Sequence, residues 1–539
     1  MGRDRAPLNR LRGSVARGLV AAIPIVFLAA LVVWPLIAVF QRSLEDAGIG
    51  DAVDTLARPS VLRVLWFTIW QAAVSAGLTL LLGLPIAQVL ARYRFRGHGA
   101  LRALVIVPFV LPTVVVAAAV GAAFDRIGFG FDQSVPAVLA AHVFFNLAVV
   151  VRVVGGYWAG LDRRQVEAAM ILGSSPIRAW WSVTMRQLTP VLTGSFLLVF
   201  LFSFTSFGVI RVLGGLRRAT IETEIHRYAI SRQQFDVAAV LAALQIVVVV
   251  VLSVATARFQ RRYAGTNRRS ADPLPVVGLA RRVHLGAVLG LVLVVIGLPV
   301  GVLVEQSLRF GDGYGLGNYR ALGTRVDLLP LSAVDALANS LVFAAGAAVA
   351  AAGVGMAAAI TITRGGRLGR LLEAVALVPL GVSAVTLGFG YLVGLTVFDL
   401  RRWIGLVPLA HAVIGLPFVL AALVPALRSV DPRAREAAAT LGASPMRVRR
   451  SVDWPQTRRA VATGAGFAAA VSIGEFGATS FLGRGQESFT APLAIFRLLS
   501  TPGASLRGQA LALSVVVGLV VAAVAAAIEW RRGTGVSVL

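Results

Sequence analysis

The chain contains no cysteine and no lysine, and only 14% of its 539 residues are charged, where a soluble protein carries roughly 25%. Without cysteine there are no disulfides, thiolate metal sites or cysteine nucleophiles. Without lysine there is no G-x-x-x-x-G-K-[ST] phosphate loop and no Schiff-base amine, so the chain cannot hydrolyse ATP by that route. The five histidines, His98, His142, His226, His284 and His411, are too scattered to form a recognisable metal pattern. What fills the chain instead is apolar: 57% of residues are hydrophobic and the mean hydropathy is +0.81. Apolar runs longer than about 18 residues recur along its whole length, the mark of an all-α polytopic membrane protein. All 51 basic residues are Arg, and they exceed Asp plus Glu by 26. That excess points to an anionic membrane face rather than to nucleic acid.

The runs predict twelve spans in two sets of six. The first set lies near 18–40, 64–90, 102–123, 136–158, 188–210 and 237–257; the second lies near 284–305, 337–362, 372–398, 406–427, 460–483 and 509–529. The first run follows Arg3, Arg5, Arg10, Arg12 and Arg17 but is too long for a signal-peptide core, so it is read as an uncleaved span. Arg is retained on the cytoplasmic side of a bilayer. Placing both termini inside puts 33 Arg in cytoplasmic segments against 17 outside. The expected organisation is a half at 1–257, a basic cytoplasmic linker at 258–282 lying near anionic headgroups, and a second half at 283–539.

An internal repeat supports the division. At an offset of 269 residues, LDRRQVEAAMILGSSPIRAWWSV (161–183) aligns with VDPRAREAAATLGASPMRVRRSV (430–452). The same offset pairs His142 with His411, Ser203 with Ser472, Phe207 and Gly208 with Phe476 and Gly477, and Leu213 and Gly214 with Leu482 and Gly483. Six spans per half make the repeat parallel. Each repeated segment reads as a short cytoplasmic helix, with Asp162 or Asp431 favouring its start. The Ala-Ala pair and the glycine leave a surface without bulk, and Ser-Pro turns the chain toward the next span. Such an element is suited to docking against another protein; a plain surface hairpin is the bland reading, weakened by its occurrence once in each half.

Glu-Ala-Ala, three residues, Gly resembles the EAA loop of permease subunits of binding-protein-dependent ABC importers, specifically those with two fused halves. The first half departs from the pattern at Met185 and Arg186, where Leu-Pro is usual, while the second continues through Val452 and Pro455. The resemblance implies a transport subunit rather than an enzyme, in a bacterial inner membrane. Glu167, Ala168, Ala169 and Gly173, with Glu436, Ala437, Ala438 and Gly442, would be the coupling residues seated in two cytoplasmic ABC ATPase subunits. ATP and Mg would be held by those partners and no cofactor by this chain, with a substrate-binding protein on the outer face. LAAHVFFNLAVVVR (139–152), SFTSFGVIRVLGG (203–215), ATIETEIHRYA (219–229) and SIGEFGATSFLG (472–483) are similar to segments of thiamine permeases. The implied substrate is thiamine or a related cation, with iron(III) as the alternative.

Polar residues within the runs give a separate hint. Glu475 falls in the eleventh predicted span, where a carboxylate costs about 2.5–3.5 kcal/mol on insertion scales; its repeat partner is Ser206. It is either an acidic point on a cation path or a structural hydrogen-bonding group. His142 and Asn146 share one face of the fourth span, and His411 repeats the histidine alone; interhelical hydrogen bonding is the bland explanation. With Ser203 and Ser472 these complete the substrate-path candidates. The Gly353-x-Gly355 pair reads as helix packing, not nucleotide binding. A twelve-span secondary transporter would need several embedded acids and would leave the duplicated loop unexplained.

Overall fold

The computed structural model describes residues 18–45, 48–130, 134–215, 218–261, 274–395, 403–483 and 485–532. Residues 262–273 of the predicted linker at 258–282 lie outside the described residues. In chain order the main helices are α1 (Gly18–Leu44), α2 (Pro59–Arg92), α3 (His98–Val110), α4 (Thr113–Arg126), α5 (Val135–Ala159), α6 (Arg164–Ile171), α7 (Pro176–Phe204), α8 (Ile221–His226) and α9 (Phe235–Arg261). They continue as α10 (Leu279–Leu308), α11 (Ala333–Thr363), α12 (Gly366–Gly381), α13 (Ala384–Gly394), α14 (Leu406–Arg428), α15 (Pro432–Thr440), α16 (Trp454–Ile473), α17 (Thr479–Leu482), α18 (Ala491–Ser500) and α19 (Ala504–Arg532).

Among the described residues nine helices are long and apolar enough to cross a membrane, or eleven if each of two bent pairs counts as one span. The third predicted span is the pair α3 and α4, bent by 109°, and the ninth is α12 and α13, bent by 106°. Pro112 drives the first bend by excluding Leu111 from helical backbone, which sits at φ −67°, ψ 142°. At the second, the Ser383 hydroxyl accepts from Thr386 N and starts a new helix.

The span expected at 460–483 is corrected. Its helix α16 ends at Ile473 and follows a stretch carrying Arg447, Arg449 and Arg450; with Arg458, Arg459 and an Ala- and Gly-rich remainder it is not apolar enough to count. Its repeat partner α7 stops at Phe204 rather than 210.

The chain divides into two compact units that cut across the sequence halves. One comprises Met1–Asp46, Gly323–Ala494 and Leu519–Leu539, the other Ala47–Leu322 and Ile495–Gly518. In the first unit α11, α14 and α16 pack together, and α1 lies against α13. Tyr391 donates from its hydroxyl to Leu31 O at 2.9 Å and Trp34 Nε1 donates to Gly394 O at 2.8 Å. Gly390 permits the approach, since a Cβ there would stand 2.9 Å from Pro35. In the second unit α2, α5 and α7 form the core, and α10 packs on α4, where Gln306 Nε2 donates to Ala122 O at 3.3 Å.

The two cores share a packing device. A Cβ on Gly83 of α2 would meet Val150 Cγ1 at 2.7 Å, and one on Gly355 of α11 would meet Val419 Cγ1 at 2.5 Å. Val150 and Val419 are repeat partners, so Gly355 is a packing residue as expected, whereas nothing lies within 4 Å of a Cβ built on Gly353, which does not share that role. The pairing also shows that α2 and α11 correspond at an offset of 272, three residues more than the rest of the repeat.

Candidate functional site

The two EAA segments fold alike because their sequences carry the same stop and start signals. Asp162 Oδ1 accepts from Arg164 N and Asp431 Oδ1 from Arg433 N, both at 2.9 Å, opening α6 and α15. Each helix ends in a left-handed glycine, Gly173 at φ 88° and Gly442 at φ 82°. Ser174 N then reaches back to Ala169 O and Ala443 N to Ala438 O, both at 3.0 Å, closing the last turn. Ser175 and Ser444 accept from Arg178 N and Arg447 N and cap the helix that follows. The glycine is therefore required by its backbone, a reason beyond the lack of bulk read from the sequence. Nothing lies within 4 Å of a Cβ built on either one.

Glu167, Ala168, Glu436 and Ala437 are exposed, and Ala169 and Ala438 are half-buried. Beside them Ile171, Leu172 and Leu441 stand out at 86–87% exposure, a level at which an apolar side chain calls for a covering surface. Past each loop comes a π-helical turn, Trp180–Met185 and Arg449–Asp453. Ser182 Oγ donates to Arg178 O and Ser451 Oγ to Arg447 O there, at 2.8 and 2.7 Å. In the second half Arg435 Nε also pairs with Asp453 Oδ1 at 2.7 Å, tying α15 to that turn.

The substrate-path candidates fall into two polar clusters, one in each unit. In the first half, Ser75 Oγ lies 3.0 Å from His142 Nδ1, and Asn146 Nδ2 donates to His142 O at 3.0 Å and to Ser203 Oγ at 3.4 Å. Gln71 Nε2 donates to Thr68 O at 3.1 Å and to Ser203 O at 2.9 Å. All five side chains are at most 2% exposed. Because both amide NH2 groups face carbonyl oxygens, which only accept, the orientation of each amide is fixed. Gln71 Oε1, Asn146 Oδ1 and His142 Nε2 are left without a hydrogen-bond partner among the described residues. Each such buried atom costs about 1–3 kcal/mol.

The second-half cluster is closed on itself. His411 Nδ1 meets Ser472 Oγ at 2.7 Å and its Nε2 meets Thr479 Oγ1 at 2.8 Å. Glu475, buried, sits in the break between α16 and α17 rather than inside a span. It accepts from Ala478 N at 2.7 Å, from Thr479 N at 2.9 Å and from the Thr479 hydroxyl, with His411 Nε2 at 3.2 Å. Ser206, its repeat partner, is buried at 9% exposure in the equivalent break after α7.

Sequence reading missed Gln71 and Ser75, although each was visible as a polar residue in an otherwise apolar run. It also left aside the acids of the segment 219–229. Glu222 is buried and bonded by Gln245 Nε2. Glu224 pairs with Arg227 at 2.5 Å; burial pushes its carboxyl upward and the guanidinium pulls the other way. Thr68 Oγ1 anchors this segment by accepting from Ile221 N at 3.1 Å, as Ser340 Oγ does from Ala491 N at 2.9 Å in the other half.

Two stretches of the chain, 79–265 and 351–532, match the family described as binding-protein-dependent transport system inner membrane component. Together they cover more than half of the chain, which belongs to that family: it is a fused, two-repeat membrane permease, a transport subunit and not an enzyme. It is 28% identical over 499 residues to the thiamine transport system permease protein ThiP of Brucella abortus, covering 87% of each chain. To the protein of the same name from Escherichia coli it is 25% identical over 507 residues, covering 89% of this chain and 91% of that one. A third relative, the molybdenum transport system permease protein ModB of Mycobacterium bovis, is 34% identical over 211 residues, 37% of this chain and 79% of its own.

Proposed function

We propose that this permease imports thiamine or a related cation, delivered by an external binding protein and driven by two ABC ATPase subunits. The similarity to ThiP along nearly the whole chain supports the substrate, since relatives named for molybdenum match only part of it. The twin EAA elements support the drive: each presents an exposed apolar tip, Leu172 or Leu441, beside a helix capped at both ends. A rigid, capped helix passes a push to the next span, while a flexible loop would absorb it. ATP and Mg belong to the ATPase partners in this reading. With α16 counted as the twelfth crossing beside its repeat partner α7, both termini and both EAA loops are cytoplasmic, as the Arg distribution suggests.

Under this reading the substrate-path residues divide by half. Ser203, His142 and Asn146, with Gln71, face the cargo in the first half. Ser472, His411 and Glu475 hold the break after α16, and Ser206 lines its counterpart. The test is a ligand panel on a binding protein that pairs with this permease, with thiamine, its phosphates and ferric iron. Tight binding of thiamine alone supports the reading; tight binding of ferric iron alone replaces it with iron(III) import.

A further inference from the structure

The proposed function places residues against the cargo but leaves open which part of the cargo they read. We propose that Gln71, His142 and Asn146 form a hydrogen-bonding site in the first half that takes the amino-bearing aza-aromatic ring of the cargo. This rests on the import reading above and adds the site and the part of the molecule it binds.

The two repeats differ in the polar residues of their cores. Matching α2 to α11 through Gly83 and Gly355, and through the anchors Thr68 and Ser340, sets Gln71, Ser75 and Thr79 against Phe343, Ala347 and Ala351. Asn146 falls against Gly415. All three positions on α11 are buried and apolar. The second half therefore packs the same three-helix core without any of these polar groups, and packing does not call for them in the first. Two buried polar atoms at those positions, Gln71 Oε1 and Asn146 Oδ1, are left unpartnered among the described residues, and so is His142 Nε2 beside them, on a histidine that the second half keeps as His411. Something outside the chain completes them.

Their chemistry defines what fits. Gln71 Oε1 and Asn146 Oδ1 can only accept. His142 Nε2 donates when Ser75 Oγ donates to Nδ1. An amino group beside a ring nitrogen supplies the complement, two N–H donors and one acceptor. No carboxylate or guanidinium belongs to the cluster, so it reads the uncharged ring by hydrogen bonds and leaves the cationic part of the cargo elsewhere.

The test uses the complete complex of permease, ATPase and binding protein in proteoliposomes. Uptake of labelled thiamine is compared with uptake of its analogue bearing oxygen in place of the ring amino group. The binding protein is the same in every arm, so a change in the ratio between variants belongs to the permease. Wild type is expected to favour the amino ring, and Gln71→Met and Asn146→Ala to lower that preference about tenfold, the worth of roughly one hydrogen bond. Where either fails to assemble, Gln71→Ser and Asn146→Ser are read in the same way. An unchanged ratio overturns the site and leaves a cluster completed by water only. Equal loss of both compounds in intact complexes also overturns it, showing a closing contact without recognition. A wild type that imports neither compound refutes the thiamine reading itself.

Discussion

His411 Nε2 lies 3.2 Å from Glu475 Oε2, with both side chains at most 3% exposed, at the break that ends α16. The carboxylate also receives two backbone N–H groups and the Thr479 hydroxyl, so its oxygens are occupied by the chain. Replacing it by Gln sets an NH2 group against donors. Glu475→Gln is therefore expected to cost about 1–3 kcal/mol, read as a lower Tm and poorer recovery of the complex. Uptake per recovered complex should hold. Normal recovery and Tm with selective loss of uptake would instead place Glu475 on the cation path.

Gly173 and Gly442 hold left-handed backbone at the tips of the coupling elements. An L-residue there costs about 1–2 kcal/mol, and Asp adds charge where close docking is expected. Gly173→Asp and Gly442→Asp are expected to insert and accumulate but to uncouple ATP hydrolysis from uptake. Normal uptake by the double variant would reduce both loops to connectors. Because the native chain has no cysteine, single cysteines at these positions also report topology. Labelling of either from outside intact cells by an impermeant reagent would invert the orientation.

The π-helical turns at Trp180–Met185 and Arg449–Asp453 occupy equivalent places in the two repeats. A wide turn leaves backbone carbonyls poorly paired, and Ser182 and Ser451 satisfy one in each. Deleting Ser182 or Ser451 would convert the wide turn to ordinary α-helix, removing this joint while keeping the coupling element nearly in register with its span. The expected result is a permease that assembles but whose uptake is largely lost in the single deletions. Unimpaired uptake would show the turns to be passive.

The parts legible in the sequence were local. Asp162, Gly173 and Ser175 each act within a few residues of themselves, so the motif foretold its own helix, stop and restart. Span positions followed from hydropathy, but Pro112 and Ser383 break helices whose two sides are equally apolar, and hydropathy does not register such a bend. Glu475 was misplaced for the opposite reason: the apolar run continues past Gly474 while the helix does not. The cluster around His142 depends on α2, α5 and α7 meeting, with Gln71 and Ser203 separated by 132 residues. The three-residue shift of α2 against α11 hid its correspondence from any single offset.

The most direct measurement is ATP-dependent uptake of labelled thiamine by proteoliposomes holding this permease, a partner ABC ATPase and an external binding protein. Uptake is expected only with all three components and ATP, and is expected to vanish in the Gly173→Asp and Gly442→Asp double variant. Uptake driven by a proton or sodium gradient with the ATPase absent would contradict it and return the chain to the secondary transporters.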